Sequence, residues 1–125
     1  MARILIIDDD EMQRTLVERM LTSVGLVVDV AEDGEEGLRL FGLNQPDLVL
    51  TDINMPGLDG HEVISAIRTQ NATVPIIAMS GGGPTTQQDD LLLQAARLGA
   101  REVIMKPFEF HQLKGAVQRA LSAAK

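Results

Sequence analysis

Apolar residues along this chain fall into short runs, and each run ends on a polar residue of distinct chemistry. Ile4-Leu5-Ile6-Ile7 leads into Asp8-Asp9-Asp10. Leu48-Val49-Leu50 leads through Thr51 into Asp52, Ile76-Ile77-Ala78-Met79 into Ser80, and Val103-Ile104-Met105 into Lys106-Pro107. Runs of this length, bounded by turn formers, are the pattern of strands buried on both faces of a parallel sheet. A fifth strand, Leu26 to Ala31, alternates: Val28 and Val30 take one face, Val27 and Asp29 the other.

Between these strands the apolar spacing turns helical. A first helix starts at Asp10 or Glu11, with Asp10 as its N-cap. Met12, Leu16, Met20 and Val24 step by four as its stripe, and Gly25 suits its end. A second helix runs from Glu35 to Leu43, after the Asp33-Gly34 turn and before Pro46. A third spans His61 to Thr69 with Val63, Ile64 and Ile67 inward, and a fourth spans Gln87 to Leu98 and stops at Gly99. The last runs from Phe108 to Ala123, with Phe110, Leu113, Val117 and Leu121 as its buried stripe. Asn54 to Gly60 and Ser80-Gly81-Gly82-Gly83-Pro84 read as loops, too rich in turn formers for regular structure. Strand and helix alternating five times predict an α/β fold, a parallel sheet with helices on both faces. In such sheets the carboxyl ends of the strands share one edge, where ligands bind. Acids, a hydroxyl and an ammonium distant in sequence meet there, a set suited to a divalent cation and a phosphoryl group.

Composition narrows the classes. The 125 residues suit a single domain, 1–125, with no output domain following. Aromatic residues make up 2%, all of them Phe, so the core is aliphatic with Met as filler. The absence of Cys excludes disulfides, zinc knuckles and thiol chemistry. No apolar stretch is long enough to span a bilayer, and no secretory signal pattern opens the chain, so membrane insertion is not expected and a cytoplasmic location is. The formal net charge of -7 argues against direct binding to nucleic acid. Gly81-Gly82-Gly83 lacks the Gly-Lys-Ser/Thr ending of a phosphate-binding loop, which leaves no nucleotide site there. His61 and His111 have no partners at metal-ligand spacing and read as surface residues of helices.

The acidic pair after the first strand, Asp52-Ile53-Asn54-Met55-Pro56-Gly57-Leu58-Asp59-Gly60 after the third, Ser80 after the fourth, and Leu98-Gly99-Ala100 followed by Lys106-Pro107-Phe108 occur together and in order. In this the chain resembles the receiver domain of two-component response regulators, the chemotaxis-protein fold, over essentially its whole length. The resemblance implies a flavodoxin-like doubly wound (βα)5 fold whose five-stranded parallel sheet has the order 2-1-3-4-5.

The resemblance also implies roles. Asp52 matches the phosphoacceptor, a carboxylate able to form an acyl phosphate. Asp8 and Asp9 match the acidic pair that binds Mg²⁺ together with Asp52 and the backbone carbonyl of Asn54, with Asp9 the direct ligand and Asp8 acting largely through water. Lys106 matches the lysine that contacts phosphoryl oxygens, followed by a cis peptide to Pro107, and Ser80 matches the hydroxyl that senses the phosphoryl group. The implied function is that of a phosphorelay switch. A sensor histidine kinase or phosphotransfer protein donates, and the surface of the fourth helix, fifth strand and last helix changes its affinity for a downstream partner. The protein would exist as a monomer or a phosphorylation-dependent dimer. On this reading it is no enzyme toward external substrates and catalyses only its own phosphorylation and dephosphorylation. Val103 departs from the pattern, standing where many receivers carry Tyr or Phe. The strand is expected to place it toward the fourth helix, and valine's stiff χ1 gives it little reach for a switching motion. Two rivals stand beside this reading. One is an aspartyl-phosphate phosphatase of the haloacid-dehalogenase type, favoured by the spacing of Asp8 and Asp10 but left without a cap domain. The other is a phosphorylation-silent interaction module on the same fold.

Overall fold

A computed structural model of the chain describes residues 2–53, 55, 57–81, 93, 96, 97 and 99–123. Five strands form one sheet: β1 (Arg3–Ile7), β2 (Val27–Ala31), β3 (Leu48–Asp52), β4 (Ile76–Gly81) and β5 (Glu102–Lys106). All pair in parallel, in the order β2-β1-β3-β4-β5. Helices α1 (Glu11–Thr22), α2 (Gly34–Asn44) and α3 (Gly60–Gln70) connect the first four strands, and α4 (Phe110–Ala123) closes the described chain. Of the expected Gln87–Leu98 helix, Leu93, Ala96 and Arg97 are described, and all three are helical.

Strand alternation sorts the core into two layers. Leu5, Ile7, Ala31, Val49, Ile76 and Ala78 face α2 and α3, where Phe41, Val63, Ile64 and Ile67 meet them. Ile4, Ile6, Leu48, Leu50, Ile77 and Met79 face α1 and α4, against Val17, Leu21, Leu113, Ala116, Val117 and Ala120. Each large aliphatic side chain removed from water in this way contributes about 1.5–3 kcal/mol. Val103 packs against the first layer and Ile104 against the second.

The helix ends are written in the sequence. Asp10, Asp33 and Asp59 are N-caps whose carboxylates accept from Gln13 N, Glu36 N and Glu62 N, and Glu62 returns a bond to Asp59 N to complete a capping box. Helix α1 ends in a Schellman arrangement: Leu26 N donates to Leu21 O, Gly25 N donates to Thr22 O, and Gly25 holds φ +87°. At the base of the sheet, Arg68 from α3 donates to the carbonyl oxygens of Gly99 (2.7 and 3.2 Å) and Val74 (2.6 Å).

Three expectations need correction. The buried stripe of α1 is Val17 and Leu21, while Met12, Leu16 and Val24 are exposed. Val17 and Leu21 are also four apart, one position C-terminal to Leu16 and Met20, and that rotation of about 100° puts Met12 and Leu16 in solvent. Phe110, the first residue of α4, lies outside its buried stripe, which is Leu113, Ala116, Val117 and Ala120, with Leu121 partly buried beside it. Ser80 and Gly81 belong to β4, because β5 extends one residue further than expected and pairs Ser80 with Met105 and Gly81 with Lys106.

Two glycines give opposite tests. A Cβ at Gly60 would run into the Asp52 carbonyl oxygen and the Ile53 Cα, backbone atoms that cannot yield, whereas a Cβ at Gly42, inside α2, meets nothing within 4 Å. Gly60→Ala is expected to lower stability by about 1–3 kcal/mol. Gly42→Ala is expected to raise it by about 0.5–1 kcal/mol. Urea unfolding followed by circular dichroism measures both, and equal effects at the two positions would contradict the packing described.

Candidate functional site

Parallel pairing brings the strand ends together. Ile7 of β1 pairs with Thr51 of β3, so Asp8 and Asp52 emerge as neighbours. Asp52 pairs with Met79, which puts Ser80 one residue beyond it on β4, and Gly81 pairs with Lys106. Residues far apart in sequence thus share one edge.

At that edge Lys106 bridges two carboxylates. Its Nζ donates to Asp8 Oδ2 at 3.2 Å and to Asp52 Oδ2 at 3.0 Å. Asp8 is fully shielded from solvent and Asp52 nearly so. The peptide between Lys106 and Pro107 is cis. Asp9 is exposed, yet one oxygen from each of Asp8, Asp9 and Asp52 falls within 4.8 Å of the others.

The electrostatics follow from this crowding. Burial is the largest influence on Asp8 and pushes its carboxyl above its ordinary value. The Asp52 charge pushes the same way, while the hydrogen bond from Asp10 N and the Lys106 charge oppose it. Burial works against the Lys106 ammonium too, but the hydrogen bond and charge of Asp52, with those of Asp8, outweigh it and raise its pKa. Three carboxylates around one ammonium leave negative charge in excess. A hard divalent cation with oxygen ligands, such as Mg²⁺, fits that donor set.

The Asp8 loop is held from several sides. Asp8 N donates to Ala31 O (3.1 Å), Asp10 N donates to Asp8 Oδ1 (3.0 Å), and Arg14 Nη1 donates to the Asp8 carbonyl (2.8 Å). Thr51 Oγ1 donates to the Asp52 carbonyl (3.1 Å), and Gly60 N to that of Ile53 (2.9 Å). Ser80 is fully buried, and its Oγ has no hydrogen-bond partner among the described residues. A buried hydroxyl without a partner is costly, and such groups recur where a ligand completes the bond.

The structure therefore brings Asp8, Asp9, Asp52 and Lys106 into one group and sets Ser80 on the same edge. Asn54 lies outside the described residues. The two histidines stay apart from the cluster: His61 Nδ1 lies 4.0 Å from Asp59 Oδ1, and His111 is exposed beside Glu109. Sequence reading missed Arg14 and Gly60. Arg14 carried a signal, one helical turn after the Asp10 cap and so over the loop that precedes it. The role of Gly60 depends on how α3 approaches β3, which no local pattern records.

Comparison with known proteins agrees with this arrangement. The family model of the response regulator receiver domain matches residues 4–118. The probable transcriptional regulator ycf27 of Guillardia theta is 36% identical over 119 residues, covering 95% of this chain and 45% of that protein. The DNA-binding transcriptional regulator NtrC of Escherichia coli is 34% identical over 118 residues, 94% of this chain and 24% of its own length. The chain thus spans about half or less of the length of these curated relatives. The crystal structure of a response regulator receiver domain protein from Clostridium thermocellum superposes with a TM-score of 0.91 at 30% identity, covering 98% of this chain and 96% of that one. No helix among the described residues is long and apolar enough to cross a membrane. With its sheet order, its acidic cluster and this match over most of its length, the chain belongs to the response regulator receiver domain family of two-component signalling.

Proposed function

We propose that Asp52 is the phosphoacceptor of this receiver and that residues 1–125 work as one receiver domain. The observation that carries the reading is the Lys106 ammonium shared between Asp52 and buried Asp8, with the unpartnered Ser80 hydroxyl on the same edge. A carboxylate oxygen of Asp52 attacks phosphorus in a phosphohistidine of a sensor kinase or phosphotransfer protein. The O–P bond forms as the P–N bond breaks, and the electron pair returns to the imidazole, which takes up a proton. Lys106 exchanges part of its hold on the carboxylates for the phosphoryl oxygens, and Ser80 donates its hydroxyl to one of them. Asp8, Asp9 and Asp52, with the Asn54 carbonyl, would hold Mg²⁺, which neutralises charge on the phosphoryl oxygens during transfer. Water later hydrolyses the acyl phosphate, so the protein catalyses its own modification and turns over no external metabolite. Phosphorylation then shifts the population of conformations presented to a downstream protein, because Ser80 and Lys106 gain contacts in one state that the other lacks.

Val103 fits a switch that works through backbone rather than a swinging ring. It is half-buried against the α2–α3 layer, and its strand neighbour Ala78 is fully buried.

Asp52→Asn is expected to abolish base-labile phosphorylation by acetyl phosphate, read as the loss of one phosphoryl mass in intact-protein mass spectrometry. Equal labelling of the variant would refute the assignment. A second test uses Asp8. Its raised pKa means that the folded chain holds this proton more tightly than the unfolded chain does. Stability therefore falls as pH rises from the ordinary carboxylate value through the shifted one, and at neutral pH the ionised Asp8 opposes folding. In chelator at pH 7, Asp8→Asn should be more stable than wild type, with the difference disappearing below the ordinary carboxylate value. Mg²⁺ at ten times its Kd should restore ~1.4 kcal/mol to the wild type, and less to the variant, as read by urea midpoints.

A further inference from the structure

We infer that Arg14 is a positioning residue for the Asp9 carboxylate, acting through the peptide that joins Asp8 to Asp9. The inference rests on the reading of Asp8, Asp9 and Asp52 as a Mg²⁺ site, and it adds a residue that this reading does not use. Asp8 is secured at every acceptor: Oδ1 by Asp10 N, Oδ2 by Lys106 and its carbonyl by Arg14. Asp9 differs. Its side chain is exposed and makes no hydrogen bond or ion pair with a described residue, although an oxygen lies within 4.8 Å of the other two carboxylates. No partner on the side chain holds that aim, so the backbone is what restricts where the carboxylate can reach. The Asp8 carbonyl and the Asp9 N–H belong to one rigid planar unit. Among the described residues, the Arg14 guanidinium makes the only hydrogen bond to that unit, at 2.8 Å. The plane of this peptide, together with the φ rotation at Asp9, sets the direction in which the Asp9 side chain leaves the chain.

Arg14 is well placed for such a task. It sits in the first turns of α1, its backbone N–H bonded to Asp10 O at 2.9 Å, so the helix carries the guanidinium back over the loop. Among the described residues no carboxylate pairs with it. Its bond to a neutral carbonyl, in a neighbourhood of three acids, spends a charged donor on backbone geometry.

Charge and geometry predict opposite outcomes, which makes the role testable. As a nearby cation, Arg14 repels a metal ion, and its removal would tighten binding. As a positioning residue, it keeps Asp9 aimed, and its removal weakens binding. The test is a Mg²⁺ titration of full-length protein followed by amide chemical shifts in ¹⁵N-labelled samples, with thermal unfolding measured alongside. Arg14→Met keeps an unbranched apolar stem but removes the donors and should weaken Mg²⁺ binding about tenfold, the usual scale for a group that orients a ligand. Arg14→Lys, which keeps one donor of similar reach, should stay within about threefold of wild type by the same scale. In an Asp9→Asn background, Arg14→Met should cause no further loss, because both changes act on one ligand. Unchanged or tighter binding in Arg14→Met, or a full additional loss in the Asp9→Asn background, would overturn the inference. If Arg14→Met fails to fold, Arg14→Gln takes its place: weakened Mg²⁺ binding would support the inference, and unchanged or tighter binding would overturn it. Absence of Mg²⁺ binding in the wild type would instead overturn the reading of the acidic cluster.

Discussion

Asp8 and Asp52 stand at neighbouring strand ends, shielded from water, with the Lys106 ammonium between them. Two like charges in such a place repel and lose hydration at once, and the arrangement persists because β5 delivers a compensating charge from the far side of the β1–β3–β4 succession. Much else in the fold serves this meeting. The strands pair in parallel so that their ends coincide. Asp10 closes the Asp8 loop into a helix cap. Gly60 lets α3 start directly beneath Asp52, where a side chain would collide with backbone. The site keeps surplus negative charge, and that donor set is one a divalent cation would fit.

The same crowding sets stability against function. The scaffold offsets the cost of the buried carboxylates in its two apolar layers; on the β2 side of the sheet Arg3 pairs with Asp29 at 2.9 Å and Asn44 adds a bond to the same carboxylate. The chemistry therefore sits at the least comfortable edge of a molecule whose core is otherwise aliphatic and densely filled.

Much of this was legible in the sequence, because the signals were local. A short apolar run ending on Asp, Ser or Lys shows both a strand and what stands at its end, and parallel topology then joins the ends. Capping aspartates mark helix starts for the same reason: the bond they make reaches only three residues. The losses came where two local answers were nearly equal. In α1, both Met12-Leu16-Met20-Val24 and the Val17-Leu21 pair are apolar at a spacing of four, and only the packing of the helix on β1 and β2 decides which turns inward. Ser80 and Gly81 looked like loop because glycine weakens strands. Their pairing with Met105 and Lys106 is a nonlocal fact that overrides that preference. Arg14 was passed over because its partner is a backbone carbonyl, so only its spacing from the Asp10 cap, and no complementary side chain, marks it.

At the base of the sheet, Gly99 holds φ +113° and the space its side chain would take is filled by Arg68, whose Nε lies 2.7 Å from the position of a Cβ. The guanidinium, in turn, is fixed there by the Gly99 carbonyl. A side chain at position 99 must displace the arginine, and a residue without donors at 68 loses the bonds to the Gly99, Val74 and Asn71 carbonyls. Positions 31 residues apart are thus energetically coupled, and the effect of a change at one depends on the residue at the other.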